Sequence, residues 1–241
     1  SEQTLPDVLK EVNYKTKAIG KWHLGAHESL VPQKRGFDEF YGFVIGGHRY
    51  FPKDLTLNDL TEARSQMDGY ITKIFDNGKR VDISKYLTEE LSDNAVKFID
   101  ENSENPFFVY LSYNAPHTPL QATKKDLDRN MHIKGEKRRT YAAMVTSLDD
   151  GVGLILDKLV EKNISDNTIV VFFSDNGGVE WYNHSDNGIL RGGKGEFFEG
   201  GIRVPFVMQW PNVIPAGLTY DKPIISLDIF ATAASVANAE K

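Results

Sequence analysis

The chain has 241 residues, of which 40% are hydrophobic and 26% charged, a globular balance that excludes both a disordered and a fibrous polypeptide. Lys plus Arg number 28 against 34 Asp plus Glu, a formal charge of -6 with no basic block able to track a phosphate backbone, so nucleic acid is not an expected partner. No apolar run approaches the ~18 residues of a membrane span, and the absence of cysteine removes disulfides, thiolate metal sites and thiol nucleophiles together.

Thr4-Leu5-Pro6-Asp7 reads as a capping box with proline in the first turn, and Leu5, Val8, Leu9 and Val12 follow at helical spacing. Lys15 to Gly20 predicts a short strand that runs directly into Lys21-Trp22-His23-Leu24-Gly25. From Ala26 to Lys85 glycines, prolines and aromatics scatter without period. That stretch predicts a long irregular excursion with one small hairpin, around Tyr70 to Val81, turning at Asp76-Asn77-Gly78. Thr88 is placed as the cap of a helix with Glu89 and Glu90 in its first turn and Leu91, Ala95, Phe98 and Ile99 on one face. Phe107 to Tyr113 is a near-continuous apolar run, the pattern of a strand buried on both faces, and Asn114-Ala115-Pro116-His117 follows it.

Tyr141, Met144, Val145, Leu148, Val152, Ile155, Leu156 and Leu159 repeat on one helical stripe despite Gly151 and Gly153. Ile169 to Phe173 reads as a second buried strand, ending in Ser174-Asp175-Asn176-Gly177-Gly178. Val204 to Trp210 is a third, broken by Pro205, and Ile224 to Ile229 a fourth, ahead of a short Ala-rich helix. Strands alternating with helices, without an internal repeat, predict a single α/β domain with helices on both faces of one sheet.

Three predicted strands end in polar clusters: Lys21 and His23, then Asn114 and His117, then Asp175 and Asn176. In open α/β sheets the ligand crevice lies beyond the carboxyl ends of the strands, so these clusters are expected to converge although they are far apart in sequence. Any one of them alone reads as an ordinary turn; the argument rests on the three together. Asp175 and Asn176 offer a carboxylate and an amide oxygen side by side, hard ligands for Ca²⁺ or Mg²⁺, but only two of the ~6 oxygens such an ion takes. Lys21, His23, His117 and Lys194 are donors able to hold a tetrahedral oxyanion and stabilise charge on a leaving oxygen. A hard cation with such donors points to sulfate or phosphate esters.

Lys194 lies among five glycines in Leu190-Arg191-Gly192-Gly193-Lys194-Gly195-Glu196-Phe197-Phe198-Glu199-Gly200-Gly201-Ile202-Arg203-Val204-Pro205, where backbone can approach a ligand or another loop closely. The run fails the G-x-x-x-x-G-K-[ST] spacing of a P-loop. His48 and Arg49, with Tyr50, and His184, with Trp181 and Tyr182, are expected to flank the site and to bind the aryl or sugar part of a substrate.

Gly20-Lys21-Trp22-His23-Leu24-Gly25, preceded by Asn13-Tyr14-Lys15-Thr16, resembles the second signature of the sulfatase family, within the alkaline-phosphatase-like superfamily. Pro116-His117-Thr118-Pro119, Ser174-Asp175-Asn176-Gly177 and Arg191-Gly192-Gly193-Lys194-Gly195 with Glu199-Gly200-Gly201-Ile202-Arg203-Val204-Pro205 fall in that family's order. The resemblance covers nearly the whole chain, and four ordered motifs are more specific than any one. It implies an alkaline-phosphatase-like three-layer α/β sandwich, with a mostly parallel sheet and helices on both faces. The implied activity is sulfuric ester hydrolysis with a formylglycine nucleophile and Ca²⁺ rather than Mg²⁺. On the matching positions it implies Asp175 and Asn176 as metal ligands and Lys21 and Lys194 as sulfate contacts. His23 would bond the formylglycine hydroxyl, and His117 would assist the leaving oxygen.

The nucleophile motif C-x-P-S-R, its serine variant and the upstream Asp pair of the family do not occur in this sequence. The chain is therefore expected to be a sulfatase catalytic domain over residues 1–241 without its amino-terminal nucleophile segment or its carboxyl-terminal subdomain, and inactive or nearly so by itself. The expected partner is a small-molecule or carbohydrate sulfate ester, and the resemblance favours an exported or lysosomal compartment. The alternatives are a phosphatase or phosphonate monoester hydrolase of the same superfamily, and a non-catalytic sulfate- or glycan-binding module.

Overall fold

The computed structural model describes residues 3–239. The chain forms two compact units, one built from the stretch up to Asn114 together with the stretch from Thr219 onward, the other from Ala115 to Leu218. In chain order the first unit holds α1 (Leu5–Glu11), β1 (Lys15–Lys21), β2 (Glu39–Phe43), α2 (Gln66–Gly69), β3 (Ile74–Asp76), β4 (Lys79–Val81), α3 (Leu87–Asn102) and β5 (Phe107–Ser112). The second holds α4 (Lys124–Arg129), α5 (Glu136–Glu161), β6 (Val170–Phe173), α6 (Glu180–Asn183), α7 (Glu199–Ile202) and β7 (Phe206–Gln209). The last helix, α8 (Leu227–Val236), belongs to the first unit.

The capping box forms as the sequence predicts: the Thr4 amide donates to the Asp7 carboxylate at 3.0 Å and the Thr4 hydroxyl to the same oxygen at 2.7 Å. The sheet of the first unit has the order β4-β3-β2-β1-β5. Its three long strands are parallel, β1 pairing with β2 on one side and β5 on the other, while the short β3–β4 hairpin is antiparallel. The hairpin turns where expected, with positive φ at both Asn77 and Gly78 (49° and 87°), the backbone that a right-twisted two-residue turn requires. Asn77 also accepts from the Phe40 amide at 2.8 Å, tying the turn to β2. Thr16 through Gly20 are all buried in the centre of the sheet. Leu87, Leu91, Ala95, Phe98 and Ile99 of α3 are buried, and Trp22, Phe37, Phe40 and Val44 gather around Ala18.

Four expectations are corrected in this unit. The irregular excursion contains a central strand, β2, because Phe40, Tyr41 and Phe43 crowd both faces and hide the period-2 signal. Helix α3 starts at Leu87 rather than being capped by Thr88. The Glu90 carboxylate accepts from the Ser84 amide and hydroxyl at 3.3 and 3.1 Å, drawing the start back, and Thr88 is fully buried. Ile224 to Ile229 is not a strand: the Ile225 amide donates to the Asp228 carboxylate at 2.8 Å, a local cap that starts α8 instead of offering the backbone to a ladder. Phe107 to Tyr113 does form a strand, β5, but at the edge of the sheet, where Tyr110 is 39% exposed rather than covered on both sides.

In the second unit α5 runs unbroken through Gly151 and Gly153, with Ala143, Met144, Ser147, Gly151 and Leu159 buried. Helix α4 is fixed to it by a fork from Arg129 onto Asp150 and by an Asn130 to Thr146 bond of 2.9 Å. Among the described residues, strands β6 and β7 pair only with each other and are antiparallel, Val170 facing Gln209 and Phe173 facing Phe206. The sequence reads both as buried strands, yet Phe172, Phe173 and Val207 are 41%, 38% and 61% exposed. A ribbon of two strands, each with a single partner, leaves side chains on both of its faces open to solvent, and the neighbours Phe172 and Phe173 lie on opposite faces.

Candidate active site

Lys21, Trp22 and His23 leave the carboxyl end of β1 in the first unit. The Trp22 amide continues the parallel pairing by donating to the Phe43 carbonyl at 2.9 Å. Its indole is buried edge-on against Phe37, with the ring N–H bonded to the Leu30 carbonyl at 2.8 Å. Burying the middle residue directs its neighbours elsewhere: Lys21 is half-buried and His23 exposed. His23 takes a left-handed φ of 53°, and its imidazole lies against the backbone of Gly46, where an added Cβ would meet the ring at 2.7 Å. Three residues upstream, Gly20 has φ +97°, and a Cβ there would stand 2.1 Å from the Ser112 carbonyl oxygen of β5. Its cross-strand partner Gly42 is equally tight, with a Cβ 2.0 Å from the Gly20 carbonyl. The Gly-Lys-Trp-His run therefore reflects backbone crowding on both sides of β1, with a buried anchor between two outward polar side chains.

The other four candidates lie in the second unit. The turn Ser174 to Gly178 and the glycine-rich run around Lys194 interlock through backbone. The Gly177 amide donates to the Gly201 carbonyl at 3.0 Å, and a Cβ on Gly177 would fall 1.7 Å from the Gly200 oxygen. The Lys194 amide donates to the Gly178 carbonyl at 3.3 Å, and a Cβ on Gly193 would reach that same oxygen at 2.3 Å. Asn187, which sequence reasoning missed, rivets the two: it accepts from the Gly178 amide (2.9 Å) and donates to the carbonyls of Gly178 (3.1 Å) and Gly192 (3.0 Å). The only trace of this role in the sequence is an Asn-Gly pair, which reads as a plain turn. The turn carrying Asp175 and Asn176 and the loop carrying Lys194 are thus held together by six glycines and one amide, leaving Asp175 and Lys194 exposed.

His117 precedes the Thr118 carbonyl that accepts from its Nδ1 at 2.7 Å, so Nδ1 carries a hydrogen and the ring is held in one orientation. Lys21 and His23 belong to one unit, and His117, Asp175, Asn176 and Lys194 to the other.

The substrate-binding expectation for His48 is corrected. His48 is 0% exposed and packs on Phe43, its two ring nitrogens set against the carbonyls of Arg49 (2.9 Å) and Thr72 (2.8 Å). Burial pushes its pKa down to about 4, against the opposing pull of those two carbonyls. It is a core group joining the loop after β2 to the stretch before β3. Arg49 is half-buried, with its amide on the Tyr70 carbonyl. His184 caps α6 in a left-handed conformation, φ 59°, and its carbonyl accepts from Arg138 at 2.7 Å.

For a hard cation, the chemistry of the donors present fits. Asn176 donates its amide N–H to the Gly177 carbonyl at 2.9 Å, so its side-chain oxygen is the atom able to act as a hard donor alongside the Asp175 carboxylate. The Ser174 hydroxyl, on the Asn176 carbonyl at 2.8 Å, braces the turn. Among the described residues no group of three or more His, Asp or Glu side chains is placed to hold a metal, and two oxygens are fewer than the ~6 such an ion takes.

Comparison with known proteins gives this geometry its context. A family model described as Sulfatase matches residues 1–239. The arylsulfatase of Hemicentrotus pulcherrimus is 34% identical over 98% of this chain and 43% of its own length, and human N-acetylgalactosamine-6-sulfatase 32% identical over 98% and 45%. The chain thus spans about half the length of the curated relatives it matches. Among solved structures, Ps i-CgsB in complex with k-i-k-neocarrahexaose superposes with a TM-score of 0.92 at 44% identity, covering 98% of this chain and 53% of that one. The PsFucS1 sulfatase of a Pseudoalteromonas species gives 0.78 at 27% identity, over 98% and 50%. The architecture is accordingly the alkaline-phosphatase-like α/β fold, with a mixed, mostly parallel central sheet. The four ordered motifs, the interlocked glycine turns and the family match together identify the chain as a member of the sulfatase family.

Proposed function

We propose that the full-length protein hydrolyses sulfate esters, and that this chain is the part of its catalytic domain that holds and orients the sulfate. The observation that carries the reading is the interlock that fixes the Lys194 backbone on the carbonyl of Gly178, in the same turn as Asp175 and Asn176. A cation-binding carboxylate and a lysine held on one rigid backbone frame suit a doubly charged tetrahedral group. Lys21, Lys194 and His23 would donate to the sulfate oxygens and the nucleophile, with Trp22 anchoring the first and last of these. His117 would hold a proton on Nε2 for the departing alcohol oxygen, its Nδ1–H being engaged by Thr118. Asp175 and Asn176 would hold Ca²⁺, which supplies charge neutralisation and polarisation of the sulfate when bound, and formylglycine, from outside this chain, supplies the attacking oxygen.

Carbohydrate sulfates are favoured over aryl sulfates as the substrate by the similarity to a protein solved with a carrageenan hexasaccharide. Arg49 and His184 are the remaining candidates for contacting the alcohol, and the compartment proposed is an exported or lysosomal one. The test uses the full-length protein with formylglycine verified by mass spectrometry, against matched sulfate, phosphate and phosphonate esters. Sulfate release that falls by about 100-fold or more in Lys21→Ala and Lys194→Ala is expected. Preference for the phosphorus esters would assign it to the phosphatase branch, and glycan binding without turnover of any ester would make it a binding module.

A further inference from the structure

The residues just after His117 line a recess of about 350 Å³ that lies wholly within the Ala115 to Leu218 unit. One wall is Thr118, Pro119 and Leu120, another is the start of α5 with Glu136, Lys137 and Thr140, and the third is Tyr182 of α6. The α5 and α6 walls are fixed to each other. Arg138, between the two charged residues of the α5 turn, donates to the His184 carbonyl that ends α6, at 2.7 Å, and its guanidinium lies 5.3 Å over the Tyr141 ring. Trp181 stands beside Tyr182 with ring centroids 5.5 Å apart, and the two are 85% and 59% exposed.

This lining is not that of a site for a flat apolar group. Two threonine hydroxyls, a carboxylate and an ammonium share it with Pro119, Leu120 and the Tyr182 ring. A pyranose has the matching surfaces: an apolar C–H face to lie on a ring, and hydroxyls for threonine and carboxylate. Glu136 and Lys137 are opposite charges on neighbouring residues, so a ligand with an acidic substituent is oriented, drawn to Lys137 and turned away from Glu136. We propose that this recess binds the sugar on the leaving-alcohol side of the scissile ester, with Tyr182 as its stacking platform and Lys137 as the contact for a second acidic substituent. The preferred substrate is then a glycan with more than one anionic group. The inference rests on the sulfate ester reading above, in which His117 faces the leaving oxygen.

The test measures binding and turnover separately in the full-length protein. Binding is followed by calorimetry with carrageenan oligosaccharides bearing one or two sulfates per repeating disaccharide, after enzymatic exhaustion of any cleavable ester. The probe retaining the additional sulfate should bind tighter by about twofold to fivefold, the range of an exposed ion pair. Lys137→Ala and Lys137→Glu should erase that difference, and Lys137→Arg should keep it. Tyr182→Ala should weaken both probes by about threefold to tenfold, and Tyr182→Phe should not. Retention in the Arg and Phe variants separates a lost contact from a disturbed fold. In turnover, the ratio of kcat/KM for oligosaccharide to that for 4-nitrophenyl sulfate should fall in Lys137→Ala and Tyr182→Ala. Equal binding of both probes to the unaltered protein, or unchanged binding in the alanine variants, overturns the recess. Absence of all sulfate ester turnover with the binding differences intact overturns the hydrolase reading and leaves the recess standing.

Discussion

Gly20 is a position at which a single methyl group should harm the site and the core together. Two separable costs act on Gly20→Ala. The first is conformational: φ of +97° places an L-residue in a region that costs ~1–3 kcal/mol. The second is steric, because the new Cβ would lie 2.1 Å from the Ser112 carbonyl oxygen, an atom of the adjoining strand that no rotamer change can move. Relieving it means spreading β1 from β5, an overpacking cost of ~1–3 kcal/mol. The sum, ~2–6 kcal/mol, is a large share of the ~5–15 kcal/mol that holds a typical domain together. Gly78→Ala supplies the control, since Gly78 has φ +87° in the hairpin turn but nothing within 4 Å of its would-be Cβ. It carries the conformational cost alone. Urea unfolding of both variants should therefore show Gly20→Ala less stable than Gly78→Ala by at least ~1 kcal/mol, and in the full-length protein the proposed sulfate ester hydrolysis should fall with it, because Lys21 and His23 follow the displaced strand end. Equal stability of the two variants would refute the packing argument, whatever the activity.

Further predictions follow from the same kind of geometry. His48 has its pKa lowered to about 4 against ~6.5 in an unfolded chain, so the unfolded state binds more protons between those values and stability should fall as pH drops through that window, by up to ~3 kcal/mol. Urea midpoints measured from pH 7 to pH 4 should show a slope that His48→Gln flattens. Asn187→Ala removes three bonds to Gly178 and Gly192 and should cost ~2–4 kcal/mol locally, read as faster hydrogen exchange across 175–201 while β1 is unaffected. Met144→Ala, at 0% exposure in α5, should cost ~2–5 kcal/mol by cavity formation, and Met144→Leu under ~1.5 kcal/mol, both by thermal unfolding. Asp175→Asn in the full-length protein should weaken Ca²⁺ binding by more than about tenfold in a calcium titration, through the loss of ligand charge.

What the sequence discloses depends on whether a signal is local. The capping box at Thr4, the Asn77-Gly78 turn and the long stripe of α5 each rest on residues within a few positions of one another, and each is found where expected. Strand β2 was hidden because its aromatics pack on both faces, so the alternation that marks a half-buried strand is absent. His48 shows a different failure. A histidine beside arginine and tyrosine in a glycine-rich loop has the composition of a binding loop, and only the Thr72 carbonyl, 24 residues away, shows it to be a core group. Asn187 fails for the same reason, since the partners that give it a role are carbonyls and amides, which every residue has and no sequence distinguishes.

The two units position their polar side chains by different means, and the difference explains where glycine is required. In the first, Lys21 and His23 are set by a strand pinned between two parallel neighbours, with Trp22 as an anchor in the core; the glycines at 20 and 42 allow that strand to come close. In the second, no strand reaches Lys194. Its place is fixed because the carbonyl oxygens of Gly178, Gly192 and Gly200 are approached by backbone of the facing loop at distances that a single Cβ would forbid. A loop held by its own peptide groups has few side-chain rotamers to lose on ordering, and it keeps its shape while the lysine at its tip stays exposed. Substitution of these glycines should therefore act on the position of Lys194 before it acts on the stability of the helices around it, whereas substitution at Gly20 must damage both, because there the site and the core share one strand.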